Sequence, residues 1–330
     1  MKVQFRFFRA VLGVTALCLA AAACGGGTSS SGGAEAQLNR PVDLIVPFGP
    51  GGGSDQVGRA VAQGMTKSLG TDVPVVNVEG GTGNTGLTKM LASAPGDSTS
   101  VLIQDTLATV SAGVSAFEFN ELTGVCRLQS MPSALLVKKD TYQDWKDLAA
   151  AAEDKPGELT VATVGRNSVD DIVLAALAKT QGPKFRAVPF SEPTERYSAL
   201  LGKSVDAMYE QLGDVRQYLD SGDFVPVMIF SQEPVQGFED VPLATDLGVP
   251  ADTVLPQFRG LVVDSETPPP VIEALSNACS SAVKSAKFQK FQKEVFATPD
   301  SYQSADEFQT FLKTQNSKIG GQLKQYGIGS

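Results

Sequence analysis

The sequence predicts an α/β protein of two lobes, each holding a mostly parallel sheet, and three observations carry that reading. Apolar, β-rich runs alternate with helical periodicity along the body of the chain. Short loops rich in glycine or small polar residues separate the runs from the helices that follow. Residues 38–330 are long enough to bury two cores of ordinary domain size.

The elements follow in order. Residues 42–48 (VDLIVPF) form a strand that ends in Gly49-Pro50-Gly51-Gly52-Gly53, and Ser54 or Asp55 then caps a helix whose Val57, Val61 and Met65 recur at i, i+4. The plan repeats with a strand at 73–78, a glycine loop at 80–83 and a helix carrying Leu87, Met90, Leu91 and Ala94 on one face. A third strand is expected at 100–104. A second set opens near Leu135-Leu136-Val137, with strands at 159–164, 185–190, 204–208 and 224–230. Ser168, with Asp171 three residues on, fits a capping box for a helix over 169–180. Further helices are expected at 194–201 and 214–219, then a strand at 260–264, the break Pro268-Pro269-Pro270, and helices at 271–287 and 305–318. Lobe one is drawn as 38–139 plus 231–330 and lobe two as 140–230. Two crossings of that kind make a hinge, with the site expected in the groove between the lobes.

The N-terminus reads as an export address. Residues 1–23 carry Lys2, Arg6 and Arg9, then an apolar run too short for a spanning helix, and no acidic residue. The run ends at Ala21-Ala22-Ala23-Cys24, similar to a bacterial lipobox, with Cys24 as the acylated residue. Ala21 stands where leucine is commoner, so cleavage nearby without lipidation stays open. Residues 24–37 have the Gly/Ser composition of a flexible tether. The expected location is the outer face of the cell membrane, held there by lipid.

Composition removes several classes. Loss of the leader's three basic residues takes the formal charge from −9 to −12, which argues against nucleic acid as a partner. Histidine is absent, and with it Ser-His-Asp and Cys-His catalysis and His-ligated zinc, so neither an enzyme, a metal nor a cofactor is expected. Once Cys18 and Cys24 are assigned to leader and anchor, Cys126 and Cys279 are left. In an exported chain they read as a disulfide, or else as two buried thiols, since Cys279 shares an apolar stripe with Ile272 and Leu275.

Both glycine loops sit where a strand's carboxyl end meets a helix N-terminus. There the backbone can approach a ligand closely, and free N–H groups add to the positive end of the helix dipole. An anion could be captured locally in this way despite the acidic body. Residues 81–86 (GTGNTG) also fit the dinucleotide pattern G-x-G-x-x-G, with Asp105 beyond the next strand, but export and the lack of histidine set that reading aside. Leu201-Gly202-Lys203-Ser204 ends like a phosphate loop and has Tyr197 where the leading glycine is required. Asp170 and Asp171 read as dipole complements on a solvated helix turn. Glu210, just past a strand, reads either as a surface carboxylate or as an acceptor facing the groove for a ligand hydroxyl or amine.

These residues resemble the substrate-binding proteins of tripartite tricarboxylate transporters, the Bug (TctC-like) family. Ile45-Val46-Pro47-Phe48-Gly49-Pro50-Gly51-Gly52-Gly53-Ser54-Asp55 with Arg59 is close to its I-V-P-F-x-x-G-G-x-[ST]-D-x-x-x-R signature. Residues 77–86 (NVEGGTGNTG) resemble its N-x-x-G-A-x-G-x-x-G. The likeness continues through Leu200-Leu201-Gly202-Lys203-Ser204-Val205-Asp206, Asp240-Val241-Pro242 and the proline-rich break. It implies a Venus-flytrap, type II-like fold in which the two loops hold a ligand carboxylate by main-chain amides, hydroxyls and water. The residues it nominates are Phe48, Gly51, Gly52, Ser54 and Asp55, then Gly83, Asn84 and Thr85. A carboxylate does not welcome another, so Asp55 is expected to cap the helix or hold the loop.

Departures gather in lobe two. Val188-Pro189-Phe190-Ser191-Glu192 stands where members often read V-P-Y-K-G, and Gly165-Arg166-Asn167-Ser168 replaces a loop of small residues. Pro95-Gly96-Asp97-Ser98-Thr99 scrambles the family's P-D-G-x-T turn. Arg166, flanked by Asn167 and Ser168, is placed to clamp a second carboxylate through a bidentate contact, or is simply exposed. The resemblance implies a monomeric, non-catalytic lipoprotein that binds a di- or tricarboxylate, an aromatic acid or an amino acid. It would deliver that ligand to permease subunits, or, as the alternative, present it to a membrane receptor as a sensor.

Overall fold

A computed structural model describes residues 38, 40–255 and 257–329. The leader, Cys24 and the tether expected over 1–37 lie outside the described residues.

Ten strands among the described residues form two five-stranded sheets. In the first, β1 (Asp43–Val46) pairs in parallel with β2 (Val75–Asn77) and β3 (Ser98–Ile103). β10 (Gln257–Asp264) enters antiparallel between β3 and β4 (Leu122–Met131), giving the order β2-β1-β3-β10-β4. The second sheet repeats the plan. β6 (Thr160–Thr163) lies parallel to β7 (Arg186–Pro189) and β8 (Ala207–Gln211). β5 (Ser133–Lys138) enters antiparallel between β8 and β9 (Phe224–Phe230), in the order β7-β6-β8-β5-β9. Each sheet therefore has one reversed strand among four that run together, the two-lobed, mostly parallel α/β arrangement expected.

The lobe edges differ from the sequence reading. Residues 133–138, drawn in lobe one, are β5 at the interior of the second sheet, so the chain crosses at Pro132. The apolar run Ala134-Leu135-Leu136-Val137 is buried on both faces, which only an interior strand allows. The return is later than residue 231, because Leu243 still bridges Ile229 of β9.

Alternation along the strands fixes the layers. Leu44 and Val46 pack with Val57, Val61 and Met65 of α1 (Gly53–Leu69) and with Leu275 of α8 (Pro269–Val283). Ile45 faces the other way, toward Leu87 and Met90 of α2 (Asn84–Leu91), Leu107 of α3 (Gln104–Ser111) and Phe308 of α10 (Ala305–Tyr326). In the second sheet Leu135, Val137 and Val161 cover α4 (Trp145–Asp154) and α5 (Val169–Thr180). Leu136 and Ala162 face α6 (Pro193–Leu201). α5 begins and ends as expected, with Ser168 and Asp171 forming the reciprocal capping box.

Three helices are absent from the sequence reading, α3, α4 and α9 (Ala286–Glu294), because α3 follows β3 with no loop, α4 is alanine-rich, and α9 follows α8 closely, across the Ser285 cap. α10 outruns its expected end by eight residues, through Gly320 and Gly321. Glycine costs about 1 kcal/mol inside a helix, but Ile319 and Leu323 extend the buried stripe of Phe308 and Leu312, and packing prevails.

Cys126 on β4 is bonded to Cys279 on α8, and both are fully buried. The choice left open by the sequence is thereby resolved in favour of the disulfide.

Candidate functional site

In each sheet the order reverses beside a parallel strand, and a crevice opens at the carboxyl ends of the flanking strands. In the first sheet these ends belong to β1 and β3, followed by the loop 47–53 and by Gln104-Asp105. In the second they belong to β6 and β8, followed by the turn 164–168 and by Gln211–Asp214. The two crevices face one another and enclose a cavity of ≈ 30 Å³. That is room for a water or two, since one water needs about 10–15 Å³ on this measure.

Loop one is built before it is functional. Gly51 adopts φ +85° and donates its N–H to Asp55 Oδ2 at 3.0 Å. Asn77 donates to the Phe48 carbonyl and to Asp55 Oδ1, both at 3.0 Å, and Arg59 Nε reaches Asp55 Oδ2 at 3.0 Å. Burial pulls the Asp55 carboxyl up, but the hydrogen bonds from Arg59, Gly51 and Asn77 more than offset this and leave it below its ordinary pKa. Asp55 thus has every good acceptor position in use inside the protein, the loop-holding role. Phe48, Gly52 and Ser54 line the cavity, together with Gly53.

Loop two holds a different position. Thr82 and Gly83 take left-handed backbone, φ +55° and +90°. At Gly83 a side chain is excluded twice, because a Cβ would lie 2.6 Å from Thr106 Oγ1. Asn84 Nδ2 binds Thr109 Oγ1 at 2.9 Å, and Thr85 is exposed. None of Gly83, Asn84 and Thr85 lines the cavity. The loop meets lobe two directly instead, with Thr82 against Gly165, where a Cβ would stand 2.1 Å from Thr82 Oγ1.

In the second lobe, Arg166 is exposed and outside the cavity. Asn167 takes φ +55°, and Ser168 is consumed as the α5 cap. The tight turn that starts α5 carries Arg166 outward, so the clamp envisaged there has no geometric support. The arginines that do reach the cavity are Arg196 and Arg259, which the sequence reading missed. Glu210 lines it too and is 2% exposed, which removes the surface alternative. Arg196 Nε donates to Glu210 Oε2 at 3.0 Å and Nη1 to the Phe190 carbonyl at 3.2 Å. Burial pulls the guanidinium's pKa down, but Glu210 outweighs it and the net direction is up.

Arg259 links the lobes. It is buried at a register shift in β10, between Arg259 and Gly260, the kind of bulge that re-aims a side chain. Its Nη2 pairs with Asp214 across the cleft, and its Nε lies 3.4 Å from Ser54 Oγ. Asp105, at the start of α3, accepts from Val169 N at 3.0 Å and so also spans the lobes. Asp170 accepts from Val164 N at 2.8 Å and is 2% exposed, a correction to its reading as a solvated charge. Burial raises Asp105 to about 7 and Asp170 well above its ordinary value.

A further acid pair guards the mouth. Glu79 and Glu192 converge over Gly49 from opposite lobes. Burial, then a hydrogen bond with Glu79 and its charge, raise Glu192 to about 7 from an ordinary 4.5. A carboxyl so raised opposes the folded, closed form at high pH: the penalty is absent below about 4.5, grows through the interval, and is complete above about 7. Glu192→Gln is therefore expected to raise the melting temperature at pH 8 and to leave it unchanged at pH 4. An equal gain at both would show that the Glu79 contact is not responsible.

Among the described residues no cluster of three or more acidic or cysteine side chains is arranged to hold a metal, and no helix is long and apolar enough to cross a membrane.

Comparison with known proteins agrees with this architecture. Residues 57–328 match the family described as "Tripartite tricarboxylate transporter family receptor". Protein BugT of Bordetella pertussis is 27% identical over 299 residues, covering 86% of this chain and 91% of its own. The structure of MatC from Rhodopseudomonas palustris with bound malate is similar at 26% identity and a TM-score of 0.79, covering 87% of this chain and 99% of that one. The periplasmic binding protein BugD, 23% identical, shares the fold at a TM-score of 0.79, over 88% and 98% of the two chains. The family is described as one of receptors, and BugD as a periplasmic binding protein. The match runs from within α1 through α10 and leaves β1 and loop one outside it, and since it covers most of the chain, the chain belongs to the tripartite tricarboxylate transporter receptor family.

Proposed function

We propose that this protein is an exported solute-binding lipoprotein, anchored through Cys24, that captures a small organic acid between its lobes and delivers it to a membrane permease. The observation that carries the reading is the meeting of α1's N-terminus, Ser54 and Arg259 at one buried cavity between the two sheets. Free N–H groups at the helix start, a hydroxyl and a guanidinium are what a carboxylate needs to leave water. MatC, solved with malate, has the same architecture.

Phe48, Gly52, Ser54 and Glu210 are assigned to the ligand site on this reading. Gly51 and Asp55 shape loop one, and Gly83, Asn84 and Thr85 shape the second loop where the lobes meet. A four-carbon diacid is too large for ≈ 30 Å³, so the lobes must part to admit it and close afterwards. The ligand shifts that equilibrium only by its preference for the closed form.

A thermal-shift screen over di- and tricarboxylates, aromatic acids and amino acids tests this. A ligand present at about 100 times its Kd adds about 2.7 kcal/mol, so a clear stabiliser is expected. Silence across all four classes rejects the capture of organic acids. Transport is distinguished from sensing by co-purification with permease subunits; association with a receptor kinase instead would favour the sensor.

A further inference from the structure

Four carboxyls, Asp105, Asp170, Glu210 and Asp214, line the cavity, against the two guanidiniums of Arg196 and Arg259. Both cations are already committed, Arg196 to Glu210 and Arg259 to Asp214. Asp105 and Asp170 are left without a cationic partner, each accepting one backbone N–H, at 3.0 and 2.8 Å, from Val169 and Val164. Both are at least 97% buried. They repel one another, and burial raises both pKa values. Without a cation the buried pair favours its protonated forms; a ligand with negative charge alone would hold it so, whereas one that brings a cation would let it ionise.

A second observation is independent of the acids. The hydroxyl of Tyr197, on the wall of the same cavity, is buried and makes no hydrogen bond within the chain, whereas Tyr209 lies near Ser133 and Gln257. Buried hydroxyls are ordinarily paired, so the Tyr197 hydroxyl is free to meet a polar guest. An ammonium group presents three N–H donors, which carboxylate and phenol oxygens can accept together. A metal ion fits less well, because among the described residues no acid cluster has ligand geometry.

We propose that the ligand carries a protonated amine as well as a carboxylate, with the amine held by Asp105 and Asp170 and the carboxylate by the loop-one end of the cleft. This deepens the function proposed above and rests on it. The ligand class is then an amino acid or another small amino-carboxylate, in preference to a plain diacid. A zwitterion adds no net charge to the closed cleft, whereas a plain diacid adds two negative charges.

Matched probes test it. Calorimetry on the mature full chain at neutral pH would compare aspartate with succinate, glutamate with glutarate, and 4-aminobutyrate with butyrate, with cadaverine as an amine lacking a carboxylate. In at least one pair the amine-bearing member is expected to bind more tightly by about ten- to hundredfold, the worth of a hydrogen bond between charged groups. Asp105→Asn and Asp170→Asn keep the acceptor for the backbone N–H and should erase that preference while the thermal melt shows a folded protein. Equal or tighter binding of the amine-free member overturns the inference and leaves carboxylate capture standing. Binding of cadaverine alone supports the amine subsite and removes the carboxylate. Failure of every amine-bearing probe also overturns it, as does a preference that survives both substitutions.

Discussion

Gly52→Val is expected to abolish tight ligand capture while leaving the fold intact. Gly52 has φ −75° and ψ 170°, extended backbone that valine adopts readily, so the substitution stores no strain in the open protein. The cost falls on closure. A Cβ at this position would stand 2.7 Å from Pro193 Cγ, on a proline ring that begins α6 and has no flexible end to swing away. Overpacking of this kind costs about 1–3 kcal/mol, which is about ten- to hundredfold in affinity. Calorimetry with whichever acid the screen identifies would measure the loss, and circular dichroism would show the fold unchanged. Wild-type affinity in Gly52→Val would take loop one out of the site. Destabilisation without loss of affinity would make Gly52 a packing residue only.

The second large effect is on stability. The disulfide closes a loop across 153 positions, from β4 in the first sheet to α8 on its outer face. The chain-entropy estimate for a loop of that length is about 5 kcal/mol, and removal of a native disulfide costs about 2–5 kcal/mol in practice. Against a total of about 5–15 kcal/mol for a folded protein, that is a large share. Replacing both cysteines by alanine avoids burying new hydroxyls among Val125, Leu261 and Leu275. Urea unfolding of the double variant against the oxidised wild type should show a lower midpoint, and reduction of the wild type should move it the same way. A shift under about 1 kcal/mol would mean that the two segments keep contact in the unfolded chain without the bond.

The two predictions divide between what could and could not be read from the chain. The glycine loop at 49–53, the strand before it and the helix after it were legible because turn chemistry and periodicity are local. So were α5 and its capping box, since Ser168 and Asp171 are three residues apart. The disulfide was half legible, since compartment suggested it and only the approach of β4 to α8 could decide it. Arg259 was not legible at all. It sits in the middle of a strand pattern, and what brings it to the cleft is a register shift against β4, a property of pairing between segments more than a hundred residues apart. Arg166 misled for the converse reason: its type suited the task, but the turn that starts α5 turns it outward.

By itself the sequence determined the class of fold, the family and the glycine loop between β1 and α1. Each of these depends on residue order over a few positions or on whole-chain composition. Which charges share the cleft was decided only by the tertiary structure. In sequence Asp170 reads as a solvated helix-start acid, and Asp105 only as the acid that a dinucleotide pattern would place beyond a strand. They become a buried, uncompensated pair because α3 of one lobe and α5 of the other meet end to end, with Arg196 and Arg259 already bound elsewhere. Burial and pairing are relations between distant segments, and on them the charge of the site depends.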